Sequence, residues 1–389
     1  MILKELKQEM HSHLTNNILR FWLDRMIDND NGGFYGRIDG NDNIVADAEK
    51  GAILNARILW AFAAAYRVIG NKEYLDAALR AKDYILNHFI DKQYGGVYWS
   101  LNADGTPKDT KKQSYAIGFT IYGMSELARA TGDREALECA LNLYHSIEEH
   151  AFDAKNNGYI EALTRDWQPI ADMRLSDKDE NGSRTMNTHL HIIEPYTNLY
   201  RACPSAELKE RLVNLLHIFT DKLLNKQTHH LDLFFNDEWQ GKRNIQSFGH
   251  DIEASWLLHE TALILGDKDI LEWIEPVVKD IAVAADEGLL PDGSMIMSVG
   301  LIQAIPTALC NGGCNVRMSL VTLTFGNTSA STTTLPLLSV AGIISRPILL
   351  TTRMVSGTGA STRMALSTTT TTKLASGNVL TTTPACVWR

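Results

Sequence analysis

Acidic residues and histidine stop at Asp292, although the chain runs on to Arg389. All 46 Asp and Glu and all 12 His lie at or before that point. The only charged residues beyond it are Arg317, Arg346, Arg353, Arg363, Lys373 and Arg389. The tail therefore has no carboxylate or imidazole for acid–base work, and the net charge of −9 combines an acidic body with a basic tail. Cysteine is scarce: of 5, only Cys139 and Cys203 fall in the body, too isolated for a disulfide framework. A Gly-rich phosphate loop, a CxxC pair and a nucleophile elbow are all missing, so a nucleotide cofactor has no support. The start, MILKELKQEMHSHL, alternates charged and apolar residues and lacks the core of a signal peptide. No stretch of the body reads as apolar enough to span a bilayer. An acidic body also argues against nucleic acid or an anionic membrane as partner. The expectation is a cytoplasmic monomer acting on a small molecule.

Threonine fills the tail instead, as in Thr368–Thr372 and Thr381–Thr383. One reading is a genuine low-complexity segment, mucin-like or disordered. The other is the right gene read in the wrong frame after the loss of one base near Ile296. With that base restored, each true codon straddles two printed residues. Around Cys310, Asn311, Gly312, Gly313, Cys314 and Asn315 the shifted codons then allow Gln-Trp-Trp-Leu-Gln-Cys. Both glutamines are forced, because the only other option at those positions is a stop. The run from Lys373 to Arg389 likewise permits a segment containing Trp-Lys-Cys-Pro-Tyr-His-Asn. Two aromatic, helix-like segments hidden in a Thr-rich tail favour the frame change. The division is then 1–296 for the coherent domain and 297–389 for an aberrant tail replacing its last helices.

The body reads as helical, with one recurring interruption. Glycine-aromatic segments stand at Gly32-Gly33-Phe34-Tyr35, at Gly95-Gly96-Val97-Tyr98-Trp99 and at Asn157-Gly158-Tyr159. Asp232-Leu233-Phe234-Phe235 resembles a degenerate fourth. Turn residues follow several of them, as in IDGNDN and LNADGTP, which suits short hairpins. Between them run helical patterns: 46–69 stopped by Gly70, 72–88, and 110–131 stopped by Gly132. Each unit is two helices plus a β-like loop, the mark of a repeat whose neighbours bury each other's apolar faces.

Two helical segments carry candidate chemistry. In MNTHLHIIEPY, residues Asn187, His191 and Glu194 share a face at i, i+4 and i+7, while His189 points elsewhere. Histidines at i, i+2 make poor helical metal ligands, so no metal is expected. Pro195 cannot donate to the carbonyl of His191, which predicts a kink there. In SFGHDIEASWLL, residues His250, Glu253 and Trp256 fall at i, i+3 and i+6. A carboxylate one turn from a histidine can hold its tautomer and raise its basicity, as a general base requires. The indole one turn further suits stacking on a sugar ring or plain packing. Arg57, in the apolar stretch EKGAILNARILWAF, needs polar partners if buried; snorkelling to the rim is the bland reading. Tyr115, in KKQSYAIGF, is a further candidate.

Taken together, GAILNARILW, GGVYW, MNTHLHIIEPYT and SFGHDIEASWLL resemble the cellobiose 2-epimerases of the N-acylglucosamine 2-epimerase superfamily. The likeness covers essentially all of 1–296, and the frame-restored tail adds the family's Trp-Trp helix and WKCPYHN ending. The resemblance implies an all-α (α/α)6 barrel around a central cavity. It also implies reversible C2 epimerisation of the reducing-end glucose of cellobiose through a cis-enediolate, with no cofactor. By position His250 is one of the acid/base pair, and Glu253 orients it. His191 and Asn187 bind sugar or assist ring opening, and Arg57 steadies the enediolate. Trp256 matches a family position too, for packing or stacking, and Tyr115 is a weaker substrate-binding candidate. The second proton-transfer histidine lies in the WKCPYHN ending, where the printed chain has Thr381 and Thr382.

Rival readings are a monosaccharide epimerase or mannose isomerase, a glycoside hydrolase on the same toroid, and a non-catalytic helical-repeat binding protein. A hydrolase needs two carboxylates flanking the bond, and no second acid pairs convincingly with Glu253. Resequencing the gene around the codon for Ile296 should reveal one missing base; an intact frame running through to Arg389 would remove the frame-change account.

Overall fold

The computed structural model describes residues 2–300, apart from 177, 178, 243, 244, 292 and 293. The Trp-Trp helix, the WKCPYHN ending and the closure of the ring by the tail lie outside the described residues.

Helix α1 (Ile2–His13) runs through a π-helical turn into α2 (Leu19–Arg25). Four hairpins follow. Their first members are α3 (Ala52–Ile69), α5 (Ser114–Thr131), α7 (Met186–Ala202) and α9 (Phe248–Leu265). Their second members are α4 (Lys72–Tyr84), α6 (Arg134–His150), α8 (Ala206–Ile218) and α10 (Lys268–Ala285). Helix α3 packs on α5, α5 on α7 and α7 on α9, making an inner row. Each inner helix is backed by its hairpin partner. Composition sorts them: α5 is buried on every side from Ser114 to Leu127, whereas α8 buries one stripe through Leu208, Leu212, Leu215 and Leu216. This is the layering of an (α/α)6 barrel.

Helix α3 corrects one expectation. Its 18 residues, with mean hydropathy 1.3, are long and apolar enough to cross a membrane. Yet 67% of that window is buried, and it packs between α4 and α5 as a core helix.

The turns inside three hairpins share one device. Gly70, Gly132 and Gly266 take left-handed φ of 79°, 77° and 65°, ending α3, α5 and α9. The next residue, Asn71, Asp133 or Asp267, caps the following helix with its side chain. At the other end the inner helices begin later than periodicity predicts. Lys50–Gly51 pair with Ser100–Leu101 rather than joining α3, and Lys112–Gln113 pair with Ala162–Leu163 rather than joining α5. Arg184–Thr185 similarly pair with Phe234–Phe235. These ladders link each unit to the next and gather the loops at one end.

The fourth repeat is shifted from its expected place. Hairpin bridges join Ile27 to Phe34, Ile90 to Val97 and Leu224 to Leu231. A short ladder joins Phe152–Asp153 to Gly158–Tyr159 in the third unit. The fourth hairpin thus closes at Leu231, and Phe234–Phe235 belong to the next ladder. A fifth bridge, Leu289 to Met295, has no glycine-aromatic signature. The position needs only a buried apolar side chain: Leu231 is 2% and Met295 0% exposed.

Among the described residues, a buried ion pair recurs at each of the first three joints between units. Asp28 accepts the backbone N–H groups of Asp30 and Asn31 at the tip of the first hairpin. Asp91, Asp153 and Asn225 repeat that turn at residues 91–94, 153–156 and 225–228. Each aspartate then meets the cation two residues before the next inner helix. Lys50 reaches Asp28 at 2.7 Å, Lys112 reaches Asp91 at 2.9 Å, and Arg184 binds Asp153. Burial alone would raise the Asp91 carboxyl, but hydrogen bonds from Arg165 and Lys112 outweigh it and hold it well below the usual range. At the fourth joint Asn225 stands at the place of the aspartate and Gln246 at that of the cation, but Gln246 meets His230, which in turn pairs with buried Asp251.

Replacing Asp91 by Asn should leave the Lys112 ammonium buried without its counter-charge, at a cost of about 3–5 kcal/mol. Chemical denaturation would measure it. The folded-state pKa values of Asp28, Asp91 and Asp153 are all lowered. Their contribution to stability is therefore complete above the unfolded carboxyl pKa of 3.8 and is lost as pH falls below it. A cost for Asp91→Asn that stayed constant down to pH 2 would contradict this.

Candidate active site

The first turns of the inner helices all lie at the loop end, and they carry the candidate residues. Arg57 is in the second turn of α3, Tyr115 in the first of α5, Asn187 and His191 in the first two of α7. His250, Glu253 and Trp256 occupy the first three turns of α9.

Arg57, Tyr115 and His191 form one contiguous group. The Arg57 guanidinium, only 2% exposed, donates to the Tyr115 hydroxyl at 3.1 Å and lies 4.2 Å from the centre of the Phe119 ring. Its aliphatic surroundings are thus offset by a cation–π contact and an oxygen acceptor. The His191 ring stands edge-on to Tyr115 at 4.7 Å and leans on Phe119 at 4.9 Å. Arg57 is therefore in the interior, and the snorkelling reading fails.

His191 also sits on the expected kink. Its φ and ψ are −90° and 16°, outside helical values, four residues before Pro195. Its Nδ1 is 3.0 Å from Glu194 Oε2, so a carboxylate one turn on fixes the ring. The bend brings the His191 carbonyl against α5: a Cβ on Gly118 would lie 2.3 Å from that oxygen. Glycine is required at 118 because the backbone of the kinked helix occupies the space.

His189 points elsewhere, as its helical position predicts. Its Nδ1 lies 2.7 Å from the Thr185 carbonyl, and its Nε2 accepts the Tyr159 N–H at 3.0 Å. Both nitrogens are held by backbone groups, and burial pushes its pKa down to about 4. This histidine is a neutral strut.

Asn187 and His250 meet in one cavity, both half-buried. Its other walls include Glu161, Thr185 and Phe234, with Arg174, Leu175, Asp179, Glu180 and Gly182 from one loop. His250 Nδ1 is 2.8 Å from Ser247 Oγ, and that hydroxyl donates to the Met297 carbonyl at 3.3 Å. A hydroxyl has one proton, so when Ser247 gives it to the Met297 carbonyl it accepts the Nδ1–H of neutral His250. The lone pair is then on Nε2, the tautomer that a base needs. The Nδ1 partner is thus Ser247, one turn before the histidine. Glu253, expected to orient the ring, is buried one turn after it at 6% exposure. Trp256, 7% exposed, belongs to the apolar core.

Asn187 and His250 thus line one cavity wall, and Arg57 and His191 pack together with Tyr115 and Phe119. Helix α7 joins them, since Asn187 and His191 lie one turn apart on the same face. Three participants carried weaker signals. Phe119 is at i+4 from Tyr115 and could have been found by spacing. Ser247 reads as an ordinary helix cap. Glu161 sits in a loop with no periodicity to mark it.

The barrel and this acid–base cluster define a class. The N-acylglucosamine 2-epimerase (GlcNAc 2-epimerase) family matches residues 33–304, and the chain belongs to it. Among its relatives, the cellobiose 2-epimerase of Bacteroides fragilis is 60% identical over 296 residues, 76% of either chain. The cellobiose 2-epimerase of Ruminococcus albus is 38% identical over 295 residues, 76% of this chain and 74% of the relative. The solved cellobiose 2-epimerase of Bacillus thermoamylovorans superposes with a TM-score of 0.89 at 31% identity, covering 99% of this chain and 98% of the other.

Gly118→Ala should force α5 and the α7 kink apart, costing about 1–3 kcal/mol as overpacking does. Thermal unfolding would read the cost. An unchanged melting temperature would mean that the His191 carbonyl is not where the structure puts it.

Proposed function

We propose that this chain, with its reading frame restored, epimerises the reducing-end glucose of cellobiose and related β-1,4-linked sugars at C2. The observation that carries the proposal is that His250, its Nδ1 held by Ser247, shares a cavity wall with Asn187. The Bacteroides relative's name and its 60% identity support the same substrate class. Once the sugar ring has opened, His250 takes the C2 proton and the C–H electrons move into the C1 carbonyl, giving a cis-enediolate. Glu253 supports the basicity of His250. Arg57, held by Tyr115 and Phe119, offsets the new anionic charge, and a preorganised cation in a dry site suits that task. His191, polarised by Glu194, assists ring opening with Asn187. A second histidine returns the proton to the opposite face, and that residue belongs to the frame-restored WKCPYHN ending. No net oxidation occurs, so the chemistry balances without a cofactor.

A monosaccharide epimerase, a mannose isomerase or a glycoside hydrolase fits less well, because the more similar relatives are cellobiose 2-epimerases. A binding protein would not need Arg57, Tyr115 and His191 in one cluster. The acidic body suits a cytoplasmic setting, with the monomer as the simplest working state. The aberrant tail is consistent with the family match ending at residue 304, soon after the last acid.

With one base restored near Ile296, the protein should convert cellobiose to glucosyl-mannose and incorporate solvent deuterium at C2. His250→Ala should lower kcat at least about a hundredfold. The printed chain should be inactive, since it lacks the second histidine. Turnover by the printed chain equal to that of the restored one would show the tail histidine to be dispensable. Full activity in His250→Ala would mean that another group is the base.

A further inference from the structure

Glu161 is the one carboxyl on the described cavity wall whose residue is both almost fully buried, at 1% exposure, and left with an unpartnered oxygen. It is brought there from the loop after Tyr159. Its N–H donates to the Ser183 carbonyl, and its own carbonyl accepts from Ser114 at the start of α5. The side chain is anchored at one end only. Thr185, the cap of α7, accepts the Thr188 N–H and donates its own hydroxyl proton to Glu161 Oε2 at 2.7 Å. Oε1 is buried with no hydrogen-bond partner. A buried polar atom left so is costly, and such atoms in a cavity wall mark places where a ligand or water completes the pairing.

We propose that Glu161 is a further sugar-binding residue, whose Oε1 carries a proton and donates it to an oxygen of the sugar held beside Asn187 and His250. This rests on the epimerase reading of the same cavity and adds a residue to it. The placement of the proton follows from the bonding: Oε2 already faces the Thr185 hydroxyl hydrogen, so a protonated carboxyl must have its hydrogen on Oε1. Burial supports that state, pushing the carboxyl up to about 7 against the Thr185 and Thr188 hydroxyls, which favour the charged form. The charged groups around it are mixed. Arg174, Asp179 and Glu180 come from the adjoining loop, His250 from α9, and Lys111 from the segment before α5. Thr185 and Asn187 on α7 face it as neutral groups. A neutral donor also suits a cavity in which an anionic intermediate forms, since a second negative charge would oppose it.

The test uses the frame-restored chain, with KM and kcat for cellobiose measured from pH 5.5 to 8.5. Glu161→Ala should raise KM about tenfold, the ordinary worth of one hydrogen bond in a buried site. Glu161→Gln keeps an acceptor for Thr185 and an N–H donor in place of the acid, so its KM should return to within about threefold of the parent at pH 6. The parent's KM should climb as pH rises through 7, where Glu161 loses its proton, and the Gln variant should lack that climb. A purely structural role would lower the unfolding midpoint of the Ala variant and leave KM and its pH dependence alone; that outcome overturns the proposal. A KM climb shared equally by the parent and the Gln variant overturns it too. No turnover by the restored parent would instead bring down the epimerase reading, and this inference with it.

Discussion

The barrel depends on burying charge at its joints. Lys50 with Asp28, Lys112 with Asp91 and Arg184 with Asp153 each connect the hairpin tip of one unit to the segment that starts the next inner helix. The members of the Lys50 and Lys112 pairs are at most 1% exposed. Removing either partner of such a pair strands the other in a medium that solvates it poorly. Each aspartate is also the pivot of its own turn, so turn geometry and joint geometry are one constraint. The starts of α3, α5 and α7 are thereby set against the preceding loop before any core packing is considered.

That constraint explains why residues far apart in the chain can act together. Arg57, Tyr115 and His191 lie within the first two turns of helices started by these joints, and His250 holds the matching place on α9. Their depth in the ring is thus common, and only their helical face has to be chosen. The face on α7 is adjusted further by Pro195, whose missing N–H allows the backbone to bend at His191 and bring its ring onto Tyr115 and Phe119. Gly118 is the reciprocal accommodation on α5. A proline on one helix and a glycine on its neighbour thus tune one imidazole.

Much of this was legible in the sequence, and the failures have physical causes. The helical periods of 46–69 and 110–131 were visible, but their first residues were misassigned because Lys50 and Lys112 are committed to ladders that no local pattern encodes. The kink at His191 followed from Pro195 alone. The fourth hairpin was placed a few residues late because aromatic character was taken as its mark, whereas the bridge needs only a buried side chain such as Leu231. Helical spacing at i+3 points to Glu253 as the group that orients His250, and it gives no sign of Ser247 at Nδ1. The hydroxyl at i−3, Ser247, is equally near and reads as a cap. Glu161 could not be found, because what distinguishes it is long-range burial beside Thr185.

The two ends of the ring obey different rules about length. At the closed end a glycine and an Asn or Asp, as at Gly70-Asn71, Gly132-Asp133 and Gly266-Asp267, join paired helices by the shortest route available. Adding a residue there would turn one helix about its axis by roughly 100° and present the wrong face to the interior. At the open end the connection from Leu163 to Arg184 wanders through a long excursion without disturbing the helices on either side. Variation in chain length is thus confined to the mouth of the cavity. A lineage built on this scaffold can lengthen or shorten the rim that meets its substrate while the ring beneath it keeps its gauge.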